Sequence, residues 1–390
     1  MRFAHAVSTA ADTVEAARAA ADAIAQDLGA TPDLVMLFCT FHHADAADDL
    51  RATVIDRLAP GALVGCTAEG VFGGGREVFD EPAVALLGAV LPEVEATVLV
   101  LDPASLAGDD PVAALRRAGL PAGEEPRSLV LLADPFGLPI DRLLDAVNEV
   151  CRGWSVTGGM ASGSSALGGS RLFTGDTVRT DGAVAVVLGG NLRTRTLVSQ
   201  GCRPVGRPFV ITAAEQNVVR ALGGRTPLQC VREVFASEPP DVQELMSKGL
   251  MIGRVIDEHC ESFRRGDFLV RAVMGFEGET GALVAGDIFR RGQTVQLHVR
   301  DRATADEDLA QLLRIVTMAD PPPVGGLCFS CNGRGPRMFE TPGHESAAIF
   351  GALGRFPMAG HFAAGEFGVI GGKAFIHGHT LSLALFGPRA

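Results

Sequence analysis

The chain has 390 residues, of which 47% are hydrophobic and 21% charged, the balance of a globular protein with enough core for two or three domains. Its formal net charge of −12 argues against nucleic acid or an anionic membrane as partners recognised through bulk electrostatics. No stretch approaches the roughly 20 consecutive apolar residues of a membrane span. Asp12, Glu15 and Asp22 interrupt what would be the apolar core of a signal peptide. We therefore expect a cytoplasmic protein.

The first third of the chain predicts a unit of strand, helix, strand, glycine turn and strand. Residues 33–41 are an apolar run, and residues 48–58 carry apolar side chains at helical spacing. The run GALVGCTAEG (61–70) is typical of a strand followed by a glycine turn, and AVALLGAVL (83–91) closes the unit as a buried strand.

The same order of elements recurs at 128–188 and again at 325–385. Each unit contains a glycine, four intervening residues and a second glycine at the same place: GCTAEG (65–70), GGMASG (158–163) and GHFAAG (360–365). We interpret this as an internal repeat of a β-α-β-β unit. The repeat predicts that equivalent glycine turns lie near one another, where small ligands dock.

Two breaks divide the remaining sequence. Residues 102–127 are rich in proline, glycine and acidic residues, and a second break falls at 189–208. Helices and hairpin-linked strands follow, and an amphipathic helix is predicted over 303–320. Hairpins among helices favour mixed rather than purely parallel sheets. We predict an α/β fold (mixed α+β), with mixed β-sheets flanked by helices, in an N-terminal domain (1–209) and a C-terminal domain (210–390).

The C-terminal motifs FSCNGRG (329–335), PMAGHFAAGEFGVIGG (357–372) and HGHT (377–380) resemble the FIST family of sensory modules, found in bacteria and in one group of eukaryotic F-box proteins. The earlier glycine turns and the run MIGRVID (251–257) also resemble that family, so the resemblance covers nearly the whole chain. It implies an intracellular sensory protein that binds an amino-acid-like metabolite. The output would pass through a separate partner, such as a histidine kinase.

The predicted ligand site lies in the last unit, where polar residues follow an apolar strand at the usual ligand edge of α/β sheets. Arg334 presents a planar guanidinium suited to a carboxylate, and Glu366 suits an ammonium group. The alternative is structural: Arg334 pairs with a protein carboxylate, either Glu366 or another, and the glycines only turn the chain. The candidate residues of this unit are Cys331, Asn332, Arg334, Gly335, Gly365 and Glu366.

Thr67 and Ser162 stand in the two earlier glycine turns, beside backbone N–H groups that could bind an anion. The alternative is that these turns only satisfy tight backbone geometry. Cys328 and Cys331 form the single C-x-x-C, but they lie in a strand-like run and would point to opposite faces, which disfavours a shared metal or disulfide.

The family resemblance also brings a haem alternative, since some bacterial members are connected with haem and nitric oxide sensing. His361 and His344 are the candidates for a single axial ligand, and any haem would be non-covalent because no C-x-x-C-H motif occurs. A third reading is a protein-interaction scaffold. The sequence lacks the zinc-protease, P-loop and dinucleotide-binding motifs, so we predict a protein that is not an enzyme and has no resident cofactor.

Overall fold

A computed structural model describes residues 1–108, 110–123, 125–260, 262–319 and 321–389. The helices are α1 (Thr13–Leu28), α2 (Ala47–Leu58), α3 (Pro103–Ala107), α4 (Pro111–Arg117), α5 (Ile140–Val150), α6 (Pro227–Ser237), α7 (Pro240–Lys248), α8 (Arg302–Ala319) and α9 (His344–Leu353). Short 3₁₀ helices span Phe41–Ala46 and Gly335–Arg337. Asp320, the last residue of the helix predicted over 303–320, lies outside the described residues, as do Asp109 and Glu124 of the predicted segment 102–127.

The first half of the chain contributes β1 (Arg2–Ser8), β2 (Leu34–Thr40), β3 (Ala62–Ala68), β4 (Gly70–Gly73), β5 (Arg76–Phe79), β6 (Val84–Val90), β7 (Val94–Leu101), β8 (Ser128–Ala133), β9 (Ser155–Met160), β10 (Leu172–Thr174), β11 (Val178–Arg179), β12 (Ala183–Gly190) and β13 (Arg193–Gln200). The second half contributes β14 (Cys202–Glu215), β15 (Val218–Leu222), β16 (Leu250–Val255), β17 (Phe268–Phe276), β18 (Leu283–Ala285), β19 (Thr294–Arg300), β20 (Gly325–Cys331), β21 (Met358–Ala363), β22 (Glu366–Ile370), β23 (Lys373–His377) and β24 (Thr380–Gly387). Helices and mixed sheets confirm the predicted α/β fold. Within the described ranges, no helix combines the length and the apolar character that crossing a membrane requires.

The chain divides into two compact units. Unit 1 comprises the described parts of Met1–Val198, Ala310–Ile376 and Thr380–Ala390, and unit 2 those of Ser199–Leu309 with His377–His379. The sequence domains 1–209 and 210–390 stay a prediction.

Unit 1 holds three six-stranded sheets with one common strand order. Each sheet contains a parallel pair joined through a helix: β2 with β3, β8 with β9, and β20 with β21. The first strand of each pair also has an antiparallel neighbour, which is β6, β12 or β24. The outer hairpins are exchanged between sheets, because β10–β11 extends β3, β4–β5 extends β21, and β22–β23 extends β9. Three neighbouring sheets are thereby linked to one another.

The parallel strands are buried on both faces, as the near-continuous apolar runs require. Along β2, Met36 and Phe38 face a core shared by all three sheets, while Val35, Leu37 and Cys39 pack with α1 and α2. This alternation follows directly from the two-residue period of a strand. The outer faces are covered by amphipathic helices, such as α1, which begins where the Asp12 side chain accepts from the Glu15 N–H.

The first glycines of the three predicted turns lie inside strands, so the turn assignment at these positions is wrong. Gly65, Gly158 and Gly360 lie in β3, β9 and β21, each opposite a residue of the parallel neighbour. The physical reason is close approach of two backbones. A Cβ atom would stand 1.9 Å from Leu37 O, 1.9 Å from Leu131 O and 1.7 Å from Cys328 O, respectively.

Unit 2 is a closed six-stranded barrel with the order β14-β15-β18-β17-β16-β19, accompanied by α6 and α7. Helix α6 begins at Pro227 directly after its cap residue Thr226, and Thr226 and Gln229 form a capping box. The run of hairpin-linked strands was predicted from the sequence, but its closure into a barrel was not.

Candidate functional site

Hydrogen bonds of Ser162 connect the carboxyl ends of β3, β9 and β21. The Ser162 hydroxyl donates to the Phe362 carbonyl and accepts from the Glu69 N–H at 2.8 Å. The Ser162 N–H donates to the Thr67 carbonyl at 3.3 Å. One parallel strand of each sheet therefore ends at this junction.

Thr67 and Ser162, both predicted as ligand residues, are buried at this junction and use their polar atoms within it. The Thr67 hydroxyl accepts from the Arg171 N–H at 2.9 Å, and the Thr67 N–H donates to the Arg171 carbonyl at 2.9 Å. These hydrogen bonds favour the structural alternative for both residues. Their role toward a ligand stays a prediction.

Beside this junction lies a fully buried ion pair between Arg334 and Glu345. The Arg334 Nε donates to Glu345 Oε1 at 2.7 Å, and both side chains are 0% exposed. Burial lowers the pKa of Arg334, but the charge and hydrogen bond of Glu345, together with the nearby Cys331 and Glu366, raise it by more in total, so the guanidinium stays protonated. The ring of Phe339 lies 5.6 Å from the guanidinium carbon. Charges so deeply buried require pairing, because desolvation costs several kcal/mol per ion.

Glu345 was missed in the sequence analysis. It lies in the first turn of α9, where a negative charge is favoured by the helix dipole. The structural alternative predicted that Arg334 pairs with a protein carboxylate, either Glu366 or another. The ion pair in this structure is with Glu345. The sequence signal for Glu345 was its place as an acidic residue in the first turn of the helix that follows the CNGRG motif. Its pairing with Arg334 depends on long-range packing, which the local sequence does not reveal.

Glu366 is the second buried carboxyl of the cluster. Its Oε2 accepts from the Thr380 N–H at 3.1 Å and from the Thr380 hydroxyl at 2.7 Å. Its Oε1 has no nitrogen or oxygen partner among the described residues, although the side chain is 0% exposed. Burial raises the pKa of Glu366 to about 8, against the lowering effects of the Thr380 hydrogen bonds, the Arg334 charge and the Cys331 thiol. The carboxyl is therefore mostly protonated at neutral pH.

Cys331 ends β20 and lies between these charged groups, with 6% of its surface exposed. Its sulfur accepts from the Gly333 N–H at 3.5 Å. Arg334 and Arg337 both interact electrostatically with it. The structure thus brings together three of the predicted site residues: Cys331, Arg334 and Glu366.

The other predicted residues of this unit frame the cluster through their backbones. The Asn332 N–H donates to the Ala363 carbonyl at 2.8 Å, and the Gly365 carbonyl accepts from the Met160 N–H at 2.8 Å. Gly335 has a φ of +50°, and a Cβ there would meet the Phe362 ring at 2.6 Å, so this position requires glycine.

A third acidic residue, Glu77, adjoins the cluster and was also missed. Its Oε1 accepts from the Ser346 N–H at 2.7 Å, at the start of α9. Burial raises the pKa of Glu77 to about 7, and the nearby charge of Glu345 adds to that effect. Two acidic residues therefore fix the first turn of α9: Glu345, which belongs to the turn and pairs with Arg334, and Glu77, which accepts from the Ser346 N–H. The pKa of Glu77 lies near neutrality.

The two histidines predicted as haem ligands, His361 and His344, have different surroundings. The ring of His361 is fully buried, 5.2 Å from the Phe38 ring and 5.3 Å from the Phe329 ring, and its Nε2 lies 3.2 Å from the Met160 carbonyl. Burial lowers the pKa of His361 to about 4. A packed core residue of this kind does not fit an axial ligand, which must face a flat macrocycle. The half-buried His344, stacked 4.1 Å from Phe339, remains the predicted ligand.

In the part of the chain that the structure describes, no three or more histidine, cysteine or acidic residues are arranged to hold a metal ion.

Comparison with known proteins defines the class to which the chain belongs. The FIST N domain matches residues 33–225, and the FIST C domain matches residues 227–369. The chain therefore belongs to the FIST family, whose domains are associated with signal transduction and small-ligand sensing.

Similar proteins occur in mycobacteria. An uncharacterized protein of Mycobacterium tuberculosis strain H37Rv is 42% identical over 392 residues, covering 99% of this chain and 100% of the relative. An uncharacterized protein of Mycobacterium bovis is 38% identical over 389 residues, covering 99% of each. Among solved structures, a cyanuric acid hydrolase from A. caulinodans aligns over 100% of both chains with 10% identity and a TM-score of 0.36.

Proposed function

We propose that this protein is a cytoplasmic sensor that binds a small amino-acid-like metabolite at the cluster of Cys331, Arg334 and Glu366. The observation that carries the proposal is the buried Glu366 oxygen without a nitrogen or oxygen partner, close to a buried guanidinium. Buried polar atoms in native proteins are nearly always satisfied, and the exceptions often mark functional sites. A ligand ammonium group would satisfy this oxygen.

The two charged groups suit the two ends of an amino acid. Arg334 offers a planar set of donors that matches a carboxylate, and an ionised Glu366 would pair with the ammonium group. Because the pKa of Glu366 is about 8, an ammonium ligand must also displace the proton of this carboxyl. A carboxylate ligand without an amino group could pair only with Arg334, and a simple amine could pair only with Glu366.

Binding would also provide a signal, because Arg334 already has a carboxylate partner. A ligand carboxylate would compete with Glu345 for the guanidinium, and Glu345 is part of the first turn of α9. Replacement of that ion pair would free the helix start from one of its buried contacts. A ligand can shift a conformational equilibrium only through such differential contacts. We propose that this change is transmitted to a separate signalling protein, such as a histidine kinase.

The proposal is tested by a thermal-shift screen of amino acids and small carboxylates, since a ligand that binds only the folded state raises the unfolding midpoint. We expect at least one amino acid to raise the midpoint of the wild-type protein. The Arg334→Lys variant keeps the charge facing Glu345 but loses the planar set of donors, so its shift is expected to be much smaller.

Arg57→Lys is the matched control, because Arg57 forms an ion pair with Asp22 in which both side chains are about half exposed. It should respond to the ligand as the wild type does. An equal ligand-induced shift in the Arg334→Lys and wild-type proteins would show that the ligand binds elsewhere.

A further inference from the structure

Cys331 is placed differently from four of the other buried cysteines. Burial raises the pKa of Cys39, Cys66, Cys151 and Cys328, and for Cys328 it outweighs the lowering effect of Arg334, so these thiols are unreactive toward electrophiles. Cys331 instead stands at a strand end, against a backbone N–H, two arginines and a carboxyl group. Neighbouring cations and hydrogen-bond donors to sulfur stabilise the thiolate, which is the reactive form of cysteine.

The carboxyl group provides the second, independent observation. Glu366 is completely buried, and its Oε1 has neither an N–H nor an O–H partner within the described ranges. The Cys331 thiol is its neighbour on one side, and Arg334 supplies a positive charge on another. A carboxyl that is close to a thiol can take and return its proton without solvent.

We propose that Cys331 is a reactive thiol that forms a mixed disulfide with a low-molecular-weight disulfide bearing a carboxylate. This inference rests on the proposed function for the contact between the ligand carboxylate and Arg334. During the exchange Glu366 carries the proton of Cys331 and does not pair with the ligand ammonium group. The inference narrows the ligand class from amino-acid-like metabolites in general to amino-acid disulfides, of which cystine is the simplest probe.

The exchange step balances without a further oxidant. In the fraction of the protein whose Glu366 is ionised, the Cys331 thiol passes its proton to this carboxylate, and the thiolate attacks one sulfur of the ligand disulfide. A new S–S bond forms to Cys331 as the ligand S–S bond breaks, so Cys331 is oxidised and the leaving sulfur is reduced. The leaving thiolate takes a proton from Glu366, which returns to its ionised form. Since a free thiol titrates near pH 8.5, a carboxyl of similar affinity for the proton can act in both directions.

The experiment treats the folded full-length protein with cystine at neutral pH and maps the modified peptides by mass spectrometry at short times. We expect the adduct on Cys331, formed faster than on the exposed Cys260. Cystamine, which has the same disulfide and amines but no carboxylates, should modify Cys331 at least about tenfold more slowly if Arg334 guides the ligand. Equal rates for the two disulfides would overturn the proposed ligand class.

Two variants test whether Cys331 is modified because its thiol is activated or only because it is accessible. Glu366→Gln keeps an acceptor for Thr380 but cannot take a proton, so modification of Cys331 should slow by at least about tenfold and rise only at higher pH. Cys260→Ser should leave the rate at Cys331 unchanged. Modification of Cys260 alone, or of Cys331 only after the protein is unfolded in urea, would overturn the inference.

Failure here is distinguishable from failure of the proposed function. A thermal shift by an amino acid without sulfur that depends on Arg334, together with an unreactive Cys331, would uphold the sensor proposal and refute the disulfide ligand.

Discussion

At the scale of single residues, the guanidinium of Arg334 is completely buried within the cluster. The variant Arg334→Met removes one partner of the ion pair and leaves the Glu345 carboxylate buried without its cation. Such half-removed buried pairs cost about 3–5 kcal/mol. We expect a loss of that size in the free energy of unfolding, measured by urea denaturation.

The exposed ion pair of Arg57 and Asp22 is the control. Arg57→Gln should change the free energy of unfolding by less than about 1 kcal/mol, because exposed pairs contribute little in water. If Arg334→Met is no more destabilising than Arg57→Gln, then Arg334 is not buried and paired as described.

Glu366 makes a prediction about pH. Its pKa is raised from 4.5 to about 8 in the folded protein, so between these values the folded state binds more protons than the unfolded state. The stability that comes from holding a protonated carboxyl is therefore lost as pH rises toward 8, by at most about 1.4 kcal/mol per pH unit. Glu366→Gln cannot titrate and should lose less stability between pH 5 and pH 8 than the wild type.

The comparison uses the difference between the two proteins, because other groups titrate in both. Burial lowers the pKa of His298 and His361 to about 4, so both proteins lose stability as the pH falls below about 6.5. Urea midpoints measured from pH 5 to pH 8 give the difference directly. Parallel curves for wild type and Glu366→Gln would contradict the raised pKa.

At the scale of secondary-structure elements, the parallel strand pairs depend on glycines that let two backbones approach. In β21, Gly360 leaves no space for a side chain, since a Cβ would stand 1.7 Å from the Cys328 carbonyl oxygen. Gly360→Ala must force β20 and β21 apart, and we expect it to lower the free energy of unfolding by at least about 2 kcal/mol. Urea denaturation monitored by circular dichroism measures the change.

Gly351 provides the matched control in α9. It is exposed, and a Cβ added there meets nothing within 4 Å. Because alanine favours the helix over glycine by up to about 1 kcal/mol, Gly351→Ala should be neutral or stabilising. Similar losses in the two variants would refute the steric argument for Gly360.

Much of this level could be predicted from the sequence. Apolar runs and helical spacing predicted strands and helices in this part of the chain. The sequence could not reveal that β4, which begins at Gly70, pairs with β21, since strand exchange between sheets has no local signal. Arg334 and Glu366 could be predicted because they belong to a local motif. Glu345 and Glu77 belong to no such motif and were missed. Their partnership depends on where α9 and β5 pack.

At the scale of the whole molecule, the two compact units have separate hydrophobic cores. We therefore expect two transitions in differential scanning calorimetry, and a ligand of the Arg334 cluster should raise only the midpoint of unit 1. Destabilising variants in each unit show which calorimetric transition belongs to which unit. Gly360→Ala should lower the unit 1 midpoint, and Leu297→Ala, which truncates a buried core residue of the barrel, should lower the other. A single transition shifted by both variants would contradict independent cores.

Isothermal titration calorimetry of the amino acid identified by the thermal-shift screen tests the central claim most directly. In the wild type, affinity should increase as pH rises toward 8, by up to about tenfold per pH unit, because the ligand ammonium requires ionised Glu366 beside Arg334 and Cys331. Glu366→Gln should bind more weakly at pH 8 and lose this pH dependence, while Arg57→Gln should match the wild type. Unchanged affinity and pH dependence in Glu366→Gln would contradict a ligand site at this cluster.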